Sequence, residues 1–162
     1  MVAHVMPTIP WIAFGILEPI LCVGACFTIL VDPHAGLRAL GPSPEAYHPD
    51  EAPVAAIVSL ANVSLLMAGA EFVCCYLSRE VQVARAYICC LIVADLGHIF
   101  PAYKGVGPIL FMNPAGWNAI TALNIWGAVG VIGMRVAYLA GVFGEDNQSV
   151  GGKNGGDAKK RE

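Results

Sequence analysis

Four long apolar runs, separated by polar or Pro- and Gly-rich stretches, set the pattern of this chain. About 20 apolar residues, rising about 1.5 Å each in a helix, cross the hydrocarbon layer of a bilayer. The runs cover about 9–31, 53–77, 81–103 and 117–143, and they predict an all-α protein whose residues 1–144 form a bundle of four transmembrane helices. Thr8 and Pro10 suit the start of the first helix and Asp32-Pro33 its end. Pro19 inside that run removes a backbone donor and predicts a kink beside Glu18, which in lipid requires neighbouring helices to cover the freed carbonyl.

The connections are uneven. Ser78-Arg79-Glu80 is so short that the second and third spans must be antiparallel neighbours. Asp32 to Ala52 and Lys104 to Gly116, punctuated by proline and glycine, read as aqueous or interfacial loops, with Met112 to Ala115 capping the next helix and Trp117 and Phe143 as interfacial anchors. From residue 145 to 162 the chain is Gly-, Asn- and charge-rich and is expected to be a disordered tail. The first run lacks the basic leader of a cleaved signal peptide, and Glu18-Pro19 interrupts it, so it reads as a retained span.

Composition agrees with a membrane protein: 57% of the 162 residues are hydrophobic and only 13% are charged, about half the usual share. A formal net charge of −3 with no basic stripe excludes a nucleic-acid partner. All six cysteines fall within apolar runs, where thiols act as small hydrophobes, not as a disulfide framework or zinc site.

Charge also orients the chain. Arg79, Arg85, Lys153, Lys159, Lys160 and Arg161 lie on the side of the two termini, against Arg38 and Lys104 on the other, so both termini are expected in the cytosol. The ending Lys159-Lys160-Arg161-Glu162 is similar to the di-lysine retrieval signal of endoplasmic-reticulum membrane proteins, an address that works only on a cytosolic tail.

Ionisable side chains within a bilayer cost about 2.5 to 3.5 kcal/mol each and are functional candidates by default. Counted along the helices, Glu18, Glu71, Arg135 and Arg85 fall about 6 to 13 Å in from the terminal side, where they are expected to neutralise one another, with Glu71, Arg135 and Arg85 as structural ion pairs. Asp95 and His98 fall about 8 to 12 Å from the opposite side, near Asn62 and Asn124. Residues three apart share a helix face, so Asp95 and His98 are the candidate catalytic acid–base pair, with Asn62, Asn124, Trp126 and Glu18 as candidate substrate contacts. Asn62 and Glu71 are nine residues apart, half a turn out of phase, and cannot both face the bundle centre; Asn124 and Arg135, eleven apart, can. The single Asp-x-x-His pair falls short of the two Glu-x-x-His helices of di-metal bundles, so no metal and no cofactor is expected. Phosphate loops, nucleophile elbows and dinucleotide fingerprints are absent from the sequence.

Glu18-Pro19, Asn62, Glu71, Arg85-Ala86-Tyr87, Asp95-Leu96-Gly97-His98, Trp117, Asn124 and Arg135, spread over all four spans, resemble a fungal family of small four-span membrane proteins of uncharacterised function. The resemblance implies a setting in secondary metabolism for some members and carries no catalytic residues. A looser likeness of architecture links the chain to membrane terpenoid cyclases and sterol isomerases, in which acids protonate an alkene or epoxide and aromatic rings such as Trp126 settle the cation. The expected function is therefore binding of a lipophilic small molecule, with redox-neutral cyclisation or isomerisation; the rival expectation is a non-enzymatic scaffold or lipid-binding subunit, and four spans leave room for an oligomer.

Overall fold

The computed structural model describes residues 4–40, 51–117 and 119–147. Among them there is no strand, and four helices are long and apolar enough to cross a membrane: Thr8–Val31, Pro53–Leu77, Val81–Lys104 and Thr121–Leu139. Their outward faces are apolar, as contact with hydrocarbon requires, with Leu66, Val93 and Leu123 each 70% exposed or more.

The first span packs chiefly on the second and the third on the fourth. A buried cluster of Val5, Met6, Phe14, Cys75, Ala84, Ile88, Leu91 and Tyr138 joins the two pairs toward the end where both termini lie. The close approach of the first two spans depends on Gly15, where an added Cβ would lie 3.3 Å from the carbonyl oxygen of Cys75. Outside this contact His4, Trp11, Tyr76 and Phe72 stack in series, with centroids 4.5, 5.4 and 4.9 Å apart.

The kink expected at Pro19 takes the form of a π-helical turn, Ala13–Leu17, before the α-helix resumes at Glu18–Val31. The wider turn accommodates a proline ring that an α-helix would press against the carbonyl four residues back. The second span changes in the same way, from the α-helix Glu51–Glu71 to a π-helical segment Phe72–Leu77, and the two π segments pack on one another.

The connections hold more structure than their composition suggests. Pro33–Leu40 is a short helix, opened by the Ala35 N–H donating to Asp32 Oδ1 at 2.9 Å, and it touches the first, second and fourth spans. The third helix continues to Val106, and Pro108–Phe111 forms one more turn. Met112 to Ala115 does not cap the fourth helix: a 3-10 turn, Pro114–Gly116, and extended Trp117 intervene before helix Ala119–Leu139. That helix stops short of Phe143, and residues 145–147, expected in the tail, are anchored. Asn147 donates from its backbone N–H to the Val5 carbonyl at 2.8 Å and from Nδ2 to the carbonyls of His4 and Met6 at 3.1 and 3.3 Å. The rest of the tail and the polar residues 41–50 lie outside the described residues.

Candidate functional site

Arg135 is the fully buried centre of the bundle, at 0% exposure. Its Nη2 donates to Glu18 Oε1 and its Nη1 to Asp95 Oδ2, and Nη2 lies 3.9 Å from Glu71 Oε1. Each of the four spans thus contributes one ionisable side chain to a single cluster. The Phe14 ring closes it from the terminal side, 5.7 Å from the guanidinium carbon, and Tyr138 packs at 6.4 Å from Phe14.

Local geometry explains how residues at different levels meet. Contacts of Arg85 with Leu139 and of Asp95 with Arg135 make the third and fourth spans antiparallel. Side chains tilt toward the N-terminus of their own helix, so Asp95 leans toward the terminal side while Arg135 leans away from it. From Arg85 to Asp95 the backbone climbs about 15 Å and from Leu139 back to Arg135 about 6 Å, and the reach of an arginine closes the difference.

Asp95 therefore does not stand in a separate layer with His98. It extends the core-facing stripe Ala84, Ile88, Leu91, whose spacing of four and three continues to Asp95. His98 continues that spacing, seven residues on from Leu91, but it is exposed, and no hydrogen bond joins it to Asp95. The acid–base pair expected from i, i+3 proximity is not assembled, because Asp95 is turned to the guanidinium.

The other candidates separate similarly. Glu71 faces inward at 0% exposure and Asn62 outward, as their half-turn offset requires. Trp126 is 60% exposed, its ring tilted against that of Trp117 at 6.1 Å; nine residues from Arg135, it lies on the opposite face of the fourth span. Asn124 shares the face of Arg135 but stands three turns away, about 16 Å along the helix. Arg85 does not join the buried charges. It bonds Asp146 Oδ2 at 3.0 Å and the carbonyl of Leu139 at 2.8 Å, with its guanidinium 5.8 Å from the Tyr138 ring, and so secures the end of the fourth span.

Glu71 is distinctive within the cluster. Both its carboxyl oxygens are buried without a hydrogen-bond partner, whereas Glu18 and Asp95 each accept from Arg135. The three acids converge on a guanidinium, and among the described residues no group of three His, Cys, Asp or Glu side chains is arranged to hold a metal ion. Sequence reasoning missed Phe14, Asp146 and Asn147; the first falls at Arg135 only through the π turn, and the other two sit in a stretch of polar composition.

With this geometry in view, the profile of a family described as a domain of unknown function, DUF7704, matches residues 3–145. The chain belongs to this family. The DUF7704 match spans all four helices and all four members of the Arg135 cluster, and Asp146 lies one residue beyond its end. No curated protein and no solved structure matches the chain.

Proposed function

We propose that this DUF7704 protein is a membrane-embedded acid–base protein that takes a lipophilic small molecule from the bilayer and rearranges it without redox chemistry, as in cyclisation or isomerisation. The observation that carries the reading is Glu71: a carboxyl group buried in the membrane, without a hydrogen-bond partner among the described residues, beside one guanidinium already engaged by two other acids. One cation does not neutralise three carboxylates, and in hydrocarbon the excess charge is removed by protons. A proton held on Glu71 is then available to a substrate group, and Arg135 stabilises the carboxylate left behind. In this reading the proton donor is Glu71 in place of the Asp95–His98 pair, with Glu18 and Asp95 fixing the guanidinium. Residence in the endoplasmic-reticulum membrane with both termini cytosolic belongs to the same reading, its orientation supported by the lysine and arginine bias; the residue-level resemblance supports a fungal secondary-metabolite setting.

The second reading, a non-enzymatic scaffold, is favoured by the same cluster's role in tying four spans together. Comparison of lipid extracts separates the two. A deletion strain is complemented with the wild-type chain or with Glu71→Gln at matched protein abundance. The proposal expects a metabolite that returns with the wild type and not with Glu71→Gln; identical extracts from both complemented strains at equal abundance overturn it and leave the scaffold.

A further inference from the structure

The outer face of the second span carries a feature that lipid cannot satisfy. Three hydroxyls on outward faces return to their own helix: Thr28 to the Gly24 carbonyl at 2.9 Å, Ser59 to Ala55 at 2.9 Å and Ser64 to Leu60 at 3.1 Å. Asn62, exposed between the last two, makes no hydrogen bond among the described residues. A primary amide has two donors and an acceptor, and an acyl chain supplies neither partner.

Asn62 heads an apolar groove on the same face, continued by Leu65, Leu66, Gly69 and Val73. Its outward stripe Asn62, Leu66, Gly69, Val73 repeats at four, three and four residues, the spacing of one helix laid along another. The floor at Gly69 is open, with no atom within 4 Å of an added Cβ, so a second backbone can approach closely there.

We propose that the groove is the interface with a second copy of this chain, closed by reciprocal Asn62 amides. Copies inserted with the same topology are related by a two-fold axis along the membrane normal, which sets equal depths face to face. Asn62 therefore meets Asn62, and an amide is its own complement, giving acceptor to donor in both directions. A lipid tail fills the groove but leaves the amide unpaired; a copy of the chain does both. This interface stands independently of the Arg135 cluster.

The test uses the full chain, labelled separately with donor and acceptor dyes and reconstituted in phosphatidylcholine vesicles over a range of protein-to-lipid ratios. Wild type is expected to give energy transfer that follows a monomer–dimer equilibrium. Asn62→Leu is expected to weaken association about fivefold, Asn62→Gln to retain most of it, and Gly69→Ile to abolish it by blocking close approach. Both faces point outward, so helicity by circular dichroism stays at the wild-type value in all three. A wild type monomeric at every ratio overturns the proposal, as does a dimer that Asn62→Leu or Gly69→Ile leaves unchanged.

Discussion

Arg135 and Asp95 are bonded across two antiparallel helices although their backbones stand at different levels in the membrane. The bond exists because one side chain leans up its span and the other leans down. Replacing Arg135 with leucine strands three acids in a dry interior, and the expected loss is about 3 to 5 kcal/mol of stability, read as a lower unfolding midpoint in detergent. Arg135→Lys keeps the charge but not the fork that engages Glu18 and Asp95 together, so its midpoint is expected between those of wild type and leucine.

Neutralising the three acids one at a time is expected to rank them. Glu18→Gln and Asp95→Asn each weaken a charge-assisted hydrogen bond and lose about 1.5 to 3 kcal/mol. Glu71→Gln removes no hydrogen bond and is expected to stay within about 1 kcal/mol of wild type. Thermal unfolding of the three variants under one detergent condition checks the order, and a Glu71→Gln loss as large as the others contradicts a Glu71 carboxyl that makes no hydrogen bond.

His98→Ala is expected to leave both unfolding midpoint and lipid-extract profile unchanged, within about 0.5 kcal/mol for the former, since His98 is exposed and makes no hydrogen bond among the described residues. A profile altered at normal abundance would return the histidine to the site.

The spans, their number and the short antiparallel connection were legible because a bilayer imposes length and polarity on any helix that crosses it. Opposite facing of Asn62 and Glu71 was legible from phase alone. Glu18, Glu71 and Arg135 were legible as one charged group from their shared depth. Asp95 was not, because depth counted at the backbone omits side-chain tilt and reach, which together bring it to Arg135. His98 was misread through proximity to Asp95, and the spacing of Ala84, Ile88, Leu91 and Asp95 runs on to it as well, so its exposure is not legible from phase. The π segment Phe72–Leu77 has no proline to announce it, and the anchoring of Asn147 depends on a few hydrogen bonds within an otherwise polar tail.

Crowding at Gly15 makes a further expectation. Gly15→Val drives methyl groups toward the Cys75 carbonyl and is expected to cost about 1 to 3 kcal/mol, whereas Gly24→Ala, with nothing within 4 Å, is neutral or slightly stabilising. The pair can be compared by unfolding midpoint in the same detergent.

The tail contact is expected to protect the N-terminal segment. Asn147→Ala removes the side-chain donations to His4 and Met6, and limited proteolysis should cut the first ten residues faster than in wild type, with the core spans unaffected. Equal cutting rates would show that the anchor is dispensable.

The π turn at Ala13–Leu17 also bears on how the chain tolerates changes in length. A π turn holds one residue more than the α turn it replaces. Deleting one residue there relaxes the turn to ordinary helix and leaves the segments on either side facing as before. The same deletion within Glu18–Val31 would swing every later position of that span by about 100° about the axis. The first span is in effect geared in two parts, so its stacked aromatic end and its acidic middle are free to drift in sequence length without being turned out of register with each other.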